Sequence, residues 1–251
     1  YLFKYKKQMT YFNDIKFFKF QISTVKGKKS TGIDINLYKL FSEKTFQILK
    51  NKGIAGLILP SGIYSDLGTK SLRELFFEKC SIQELCGFVN VKKIFRDVDS
   101  RVKFCTLLLR KEGSTKKFLA KFRVIDELDL LDFQNTAFDY DLGLVKMSSP
   151  DSLSIIECSG KTDKQILQKM YKHTLLQSEK WNFKVSREFH MTDDSHLFQI
   201  ENIGIPLFKG EMMNQFTNTF APPIYWIDKK EGTTELIRKE KYRSNYLLRF
   251  V

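Results

Sequence analysis

At 251 residues, with 42% hydrophobic and 14% aromatic content, the chain is long enough for one large domain or two modest ones and rich enough in apolar side chains to bury a core, which excludes a disordered tail. The formal net charge of +13, from 42 Lys and Arg against 29 Asp and Glu, makes a polyanion such as nucleic acid the first partner class and a membrane surface a weaker one. No apolar run is long enough to span a bilayer, and the start lacks the order of charged, apolar and small residues of a signal peptide, which points to the cytoplasm.

Four cysteines, Cys80, Cys86, Cys105 and Cys158, show no C-x-x-C spacing, and three lie in apolar stretches, so buried free thiols are expected rather than a zinc site or disulfides. His173, His190 and His196 are poorly spaced for shared metal ligation, and no metal is expected. Tyr1 is not an initiator methionine and the chain closes on YRSNYLLRFV without a polar tail, so it reads as an internal piece of a longer protein.

Residues 1–32 form a basic connector, with eight Lys and one acid in the first 29, broken by KGKKSTG. Two readings stand side by side: an arm facing DNA, or a solvated connector whose Phe side chains pack on the main domain. From Asp34 a helix is predicted, capped by Asp34 or Asn36, with Leu37, Leu40, Phe41, Ile48 and Leu49 at helical spacing and Gly53 as its left-handed stop. IAGLILP is apolar throughout, which suits a strand covered on both faces. Pro60 ends it.

A second helix follows behind Ser65 or Asp66, burying Leu72, Leu75 and Phe76. SIQELCGFV and VKFCTLLLRK read as two strands joined by KKIFRDVDSRVKF, a basic loop whose aromatic ahead of the second strand is Phe95. This order is that of the second half of a doubly wound α/β sheet. KKFLAKFRV reads as an edge strand before an acidic stretch, so residues 33–111 are assigned to the α/β half-sheet and 112–150 to an edge strand and linker. TDKQILQKMYKH is a short helix with Thr162 as N-cap. Residues 151–251, aromatic, basic and mostly irregular, form a mixed α+β region.

No G-x-G-x-x-G, phosphate-cradling loop, G-x-S-x-G or H-E-x-x-H is present. Pro60-Ser61-Gly62 falls at the carboxyl end of the apolar strand, where open α/β sheets bind ligands.

The stretch DINLYKLFSEKTFQILKNKGIAGLILPSGIYSDLGTKSLRELFFEKCSIQELCGFVNVKKIFRDVDSRVKFCTLLLRK resembles the segment that follows the catalytic motif in adenine-N6 DNA methyltransferases of combined type II restriction-modification enzymes and their phage-defence relatives. FHMTDDSHLF, IPLFKGEMMNQF and YRSNYLLRF occur in the same order in that family, so the likeness runs roughly from Gly32 to the end. The resemblance implies a Rossmann-like methyltransferase sheet, mostly parallel and closed by an antiparallel strand. It implies S-adenosylmethionine as cofactor and double-stranded DNA as substrate.

On matching positions, Phe95 falls where the family places an aromatic against the flipped target base, and Pro60 and Ser61 fall beside its active site. Lys92, Lys93, Arg96, Arg101 and Lys103 are then phosphate contacts, and Lys209, Asn214 and Gln215 are candidates for phosphates or base edges. Against that, Phe95 folding back on the sheet and a helix packed by Met212, Met213 and Phe216 are the plain structural alternatives. Asp99 pairing with Arg101, and Asp193 with Asp194 as a turn cap, belong to the same plain reading.

The family's F-x-G-x-G and N-P-P-Y motifs and its nuclease motif occur nowhere in the 251 residues. No catalytic residue is therefore expected within this chain, and the missing N-terminal half of the same protein becomes its expected partner. The expectation is a fragment of a DNA adenine-N6 methyltransferase, inactive alone; the alternative is a non-enzymatic DNA-binding or specificity module, or a decayed remnant.

Overall fold

The computed structural model describes residues 2–14, 16–22, 24–25, 28–29, 36–174, 180 and 188–239. The chain divides into two units, Tyr1–Leu175 and Leu176–Val251.

The first unit opens with helix α1 (Leu2–Asn13) and a short antiparallel pair, β1 (Thr24–Val25) and β2 (Lys28–Lys29). There follow α2 (Leu37–Ile48), β3 (Ile54–Pro60), α3 (Gly62–Ser65), α4 (Lys70–Lys79), β4 (Ser81–Val89), β5 (Lys103–Arg110) and β6 (Lys117–Val124). The unit ends with α5 (Phe133–Thr136), β7 (Phe138–Asp141), α6 (Leu142–Ser148) and α7 (Lys161–Met170). Five strands form one mixed sheet in the order β3-β5-β4-β6-β7. β5 runs antiparallel to both β3 and β4, β6 is parallel to β4, and β7 closes the far side antiparallel.

The α/β class and the two strands flanking the basic loop are as expected from the sequence. KKFLAKFRV is not an edge strand: it pairs on both sides, and the outer place goes to β7, drawn from the acidic stretch. β3 is not covered on both faces either. Leu57 and Leu59 are buried, whereas Ile54 and Ile58 are 51% and 62% exposed: among the described residues β3 ends the sheet and only one of its faces is covered. Along β6 the left-handed Arg123 marks an extra residue, two steps on β4 (Cys86 to Phe88) facing three on β6 (Lys121 to Val124). Gly87 is needed beside this bulge, since a Cβ would press on the Phe122 ring and the Tyr64 hydroxyl.

Asn36 caps α2 by accepting from the Tyr38 N–H, one of the two caps anticipated. The buried side of α2 differs from the periodic reading: Leu37, Phe41 and Ile48 face outward, while Lys39, Leu40, Ser42 and Glu43 are buried. Polar bonds set this orientation. Glu43 accepts from the backbone N–H of Lys19 (2.6 Å) and Phe20 (3.1 Å) and from Gln21 Nε2 (2.7 Å), and Lys39 Nζ donates to the Gln21 carbonyl (3.0 Å). Buried Phe18 and half-buried Phe20 complete the attachment, so residues 16–22 are a packed connector.

The end of α2 is held by Lys111, whose ammonium donates to the Phe46 and Leu49 carbonyls, and the left-handed residue of the turn is Lys52 rather than Gly53. Neither Ser65 nor Asp66 caps α4 through a side chain, and Gly160 rather than Thr162 occupies the N-cap position of α7. Around α4, Leu72, Leu75 and Phe76 are buried as expected. Buried Arg73 donates to the carbonyls of Ile63 (3.0 Å), Asp66 (2.6 Å) and Ser152 (2.8 Å), fixing the chain just past β3; burial brings its guanidinium down to about 10. All four cysteines are buried and unpaired.

The second unit contains an antiparallel pair, β8 (Ile205–Pro206) with β9 (Trp226–Ile227), and α8 (Lys229–Arg238), capped by Asp228 on the N–H groups of Lys230 and Glu231. Met212, Ile227 and Leu236 are its buried apolar residues among those described. Among the described residues no helix is long and apolar enough to cross a membrane.

Replacing Glu43 with Ala leaves three donors around a buried void. We expect a loss of about 2 kcal/mol in urea unfolding, together with faster tryptic cleavage at Lys16 and Lys19. Unchanged cleavage would show that the connector is held by its apolar contacts alone.

Candidate target-base site at the end of the sheet

The antiparallel insertion of β5 decides which residues meet. Its first residues lie between Pro60 of β3 and Phe88 of β4, with Phe104 paired to both. Phe88 and Phe104 stack face to face, 4.9 Å between centroids at 3°, and Phe95 meets Phe104 edge-on at 4.8 Å and 80°. Three rings thus lead from the sheet to the surface. Phe95 is half folded back, as the plain reading had it, and still 39% exposed.

Asn90 organises the loop that carries Phe95. Its side chain is fully buried, donates to the carbonyls of Phe95 (2.9 Å) and Val98 (3.0 Å), and accepts from the Phe95 N–H (3.0 Å). Its own N–H donates to the Val102 carbonyl (3.1 Å), and Lys93 turns the chain through a left-handed conformation. A polar residue after the apolar run CGFV is the only sequence signal that pointed to Asn90.

Pro60 and Ser61 lie at the same end of the sheet: the Ser61 N–H donates to the Lys103 carbonyl at 3.1 Å. A side chain at Gly62 would collide with the Asp66 carboxylate and crowd the Tyr38 hydroxyl, so the PSG turn needs its glycine. Glu157, not anticipated from sequence, accepts from Tyr64 Oη (2.9 Å) and Lys103 Nζ (2.7 Å). Burial, then the Glu157 carboxylate, push the Tyr64 hydroxyl well above its ordinary value.

The basic residues of the loop are largely partnered. Lys92 binds Asp126 (2.6 Å), Arg101 binds Asp99 (3.0 Å) and Lys103 binds Glu157 (2.7 Å). Hydrogen bonds from Lys92 and Arg101 hold the Asp126 and Asp99 carboxyls below the usual carboxylate range. Lys93 Nζ donates to the Val98 carbonyl (3.1 Å), and Arg96 has no partner among the described residues. The exposed pairs among these are weak, whereas the Glu157 carboxylate is largely covered.

Lys209, Asn214 and Gln215 belong to the second unit. Lys209 pairs with Glu211 (2.6 Å), and the Asn214 side chain accepts from the Gln215 N–H (2.7 Å). Asp194 is buried on Lys239 (2.6 Å) and accepts from the His190 N–H, a turn anchor. No group of three or more His, Cys, Asp or Glu that could hold a metal occurs among the described residues.

Residues 5–95 match the Eco57I restriction-modification methylase family. The match runs from α1 to Phe95, so it begins earlier than the resemblance read from sequence and bears it out up to the loop that carries Phe95. No curated protein matches the chain. Among solved structures, a modification subunit of a putative type I restriction enzyme from Vibrio vulnificus YJ016 overlaps with a TM-score of 0.40 at 14% identity, over 61% of this chain and 38% of that one. The EcoKI M protein of a type I restriction enzyme gives 0.41 at 13%, over 59% and 43%. The type IIG restriction endonuclease BpuSI gives 0.32 at 16%, over 44% and 13%. The chain spans less than half the length of each of these proteins.

The methylase-family segment thus ends on a ring whose place depends on Asn90. Asn90→Ala should cost about 2–3 kcal/mol in thermal or urea unfolding, since it orphans two carbonyls and one N–H, and should open residues 95–98 to amide exchange. Unaltered exchange at Phe95 and Val98 would show the loop to be held without it.

Proposed function

We propose that this chain is the downstream part of the catalytic domain of a DNA adenine-N6 methyltransferase of a restriction-modification or related defence system, with the start of its target-recognition region. Double-stranded DNA is the substrate and S-adenosylmethionine the methyl donor in this reading. The observation that carries it is the ring series Phe88–Phe104–Phe95, ending at the carboxyl edge of the sheet beside Pro60 and Ser61, in a segment matching a restriction-modification methylase family.

An adenine turned out of the duplex loses its stacking, and the exposed part of Phe95 supplies a replacement π-face. Pro60 and Ser61 border the same space. Lys92, Lys93, Arg96, Arg101 and Lys103 hold the neighbouring phosphates, three of them by exchanging a carboxylate partner for a phosphate. In the second unit, Lys209, Asn214 and Gln215 are assigned to DNA contacts. These roles are all binding and positioning.

The residues described do not fit the methyl donor: the chain has neither F-x-G-x-G nor N-P-P-Y. A second polypeptide segment, the N-terminal half of the same protein, is the proposed source of both. Support comes from β3, which among the described residues pairs only with β5, and from the exposed Ile54, Ile58, Leu37, Phe41 and Ile48. An open strand edge with uncovered apolar neighbours is what further strands and helices would cover.

The test is reconstitution with the segment encoded ahead of Tyr1, following transfer of labelled methyl groups to duplex DNA. Neither piece alone should methylate, and the pair should modify adenine N6. Methylation by this chain alone would overturn the division of labour. A stable pair that binds DNA without methylating it would favour the non-enzymatic binding module.

A further inference from the structure

In the second unit, Asn214 and Thr217 face each other across a two-residue turn, each donating its N–H to the other's carbonyl (2.9 and 3.0 Å). The turn is braced: the Asn214 side chain accepts from the Gln215 N–H (2.7 Å), the Thr217 and Thr219 hydroxyls are bonded (3.2 Å), and the Phe220 N–H donates to the carbonyl of buried Met212 (3.0 Å). At its tip Phe216 has φ 65°, a left-handed conformation normally left to glycine, and its side chain is 99% exposed. The helix packing anticipated for Met213 and Phe216 is absent: Met212 alone of the three is buried. A large ring is thus held in solvent, on a braced turn, at a backbone position that disfavours it, and strained positions of this kind cluster at functional sites.

From Met212 to Ile227 the sequence carries no Asp, Glu, Lys or Arg, in a chain of net charge +13. The tip therefore has no acid to repel a polyanion, and beside the ring it offers amides and hydroxyls, from Asn214, Gln215, Thr217, Asn218 and Thr219, together with the partly exposed Met213 and Phe220. The polar groups suit base edges, and the most exposed ring, Phe216, suits the gap between base pairs.

We propose that Phe216 is a wedge that enters duplex DNA and parts a base step while the flanking amides and hydroxyls meet the base edges. This rests on the reading that the chain acts on duplex DNA. The wedge is a contact separate from Phe95, and it unstacks the duplex rather than receiving a base.

The experiment measures binding of the 251-residue chain to a short duplex by fluorescence anisotropy, and bending of that duplex by end-to-end energy transfer, for the wild type, Phe216→Ala and Phe216→Gly. Both variants should bind about tenfold more weakly, the worth of one base–aromatic contact, and bend the duplex less. The salt dependence should keep its slope, because no phosphate contact is removed. Phe216→Gly should unfold at the same temperature as the wild type or higher, since glycine relieves the left-handed strain, which separates a binding loss from a folding loss. Equal affinity and bending in wild type and Phe216→Ala would overturn the wedge and leave the DNA reading standing. No duplex binding by the wild type would bring down that reading and the wedge with it. A variant that loses self-association while keeping its DNA affinity would assign the tip to a protein contact and overturn the proposal.

Discussion

One antiparallel strand sets the geometry of the site. β3 and β4 run in the same direction, and β5 is inserted between them in the opposite sense, so Phe104, at its start, meets the end of β3 on one side and the end of β4 on the other. Remove that insertion and Pro60, Ser61 and Phe95 have no reason to share an edge. The insertion also requires a loop, residues 90–102, that leaves β4 and reverses into β5. Asn90 makes that reversal possible by satisfying, from a buried position, the backbone groups of Phe95 and Val98. Arg73 does comparable work past β3, collecting three carbonyls from chain segments far apart in sequence. In both cases one buried polar side chain replaces the regular pairing that a loop cannot supply.

The charge of the loop follows a different logic. Its cations hold surface carboxylates at Asp99, Asp126 and Glu157, all on the same unit. Exposed ion pairs contribute little to stability, so the main effect of these pairs is to fix where the long side chains lie. The net positive charge adds long-range attraction, while the carboxylate partners keep the loop from repelling itself.

Much of this was legible in the sequence wherever one local rule decided the outcome. The strand–loop–strand around Phe95 showed as two apolar runs with a charged interruption, Asn36 as a cap, and Leu72, Leu75 and Phe76 as a helical stripe. The failures have a common cause. Periodicity assigned Leu37, Phe41 and Ile48 to the buried side of α2, but Glu43 and Lys39 turned that side inward because the connector at residues 19–21 brought donors and a carbonyl to meet them. β3 was read as fully covered because its sequence suits that state, and the described residues cover only one of its faces. Asn90 and Glu157 were passed over because their partners are backbone or distant residues, which no spacing reveals. Packing of Phe216 with Met212 and Met213 stood as one of two readings of its stretch, and its left-handed φ has no signature in the sequence.

The central claim is that Phe95 supplies the face on which an extruded adenine rests. It is tested most directly by comparing affinity for a fully paired duplex with that for the same duplex carrying one unpaired adenine, in the wild type and in Phe95→Leu, which keeps an apolar contact with Phe104 but removes the π-face. The account predicts a wild-type preference for the unpaired adenine of about tenfold, lost in Phe95→Leu with affinity for the paired duplex unchanged. A preference that survives Phe95→Leu intact would contradict it.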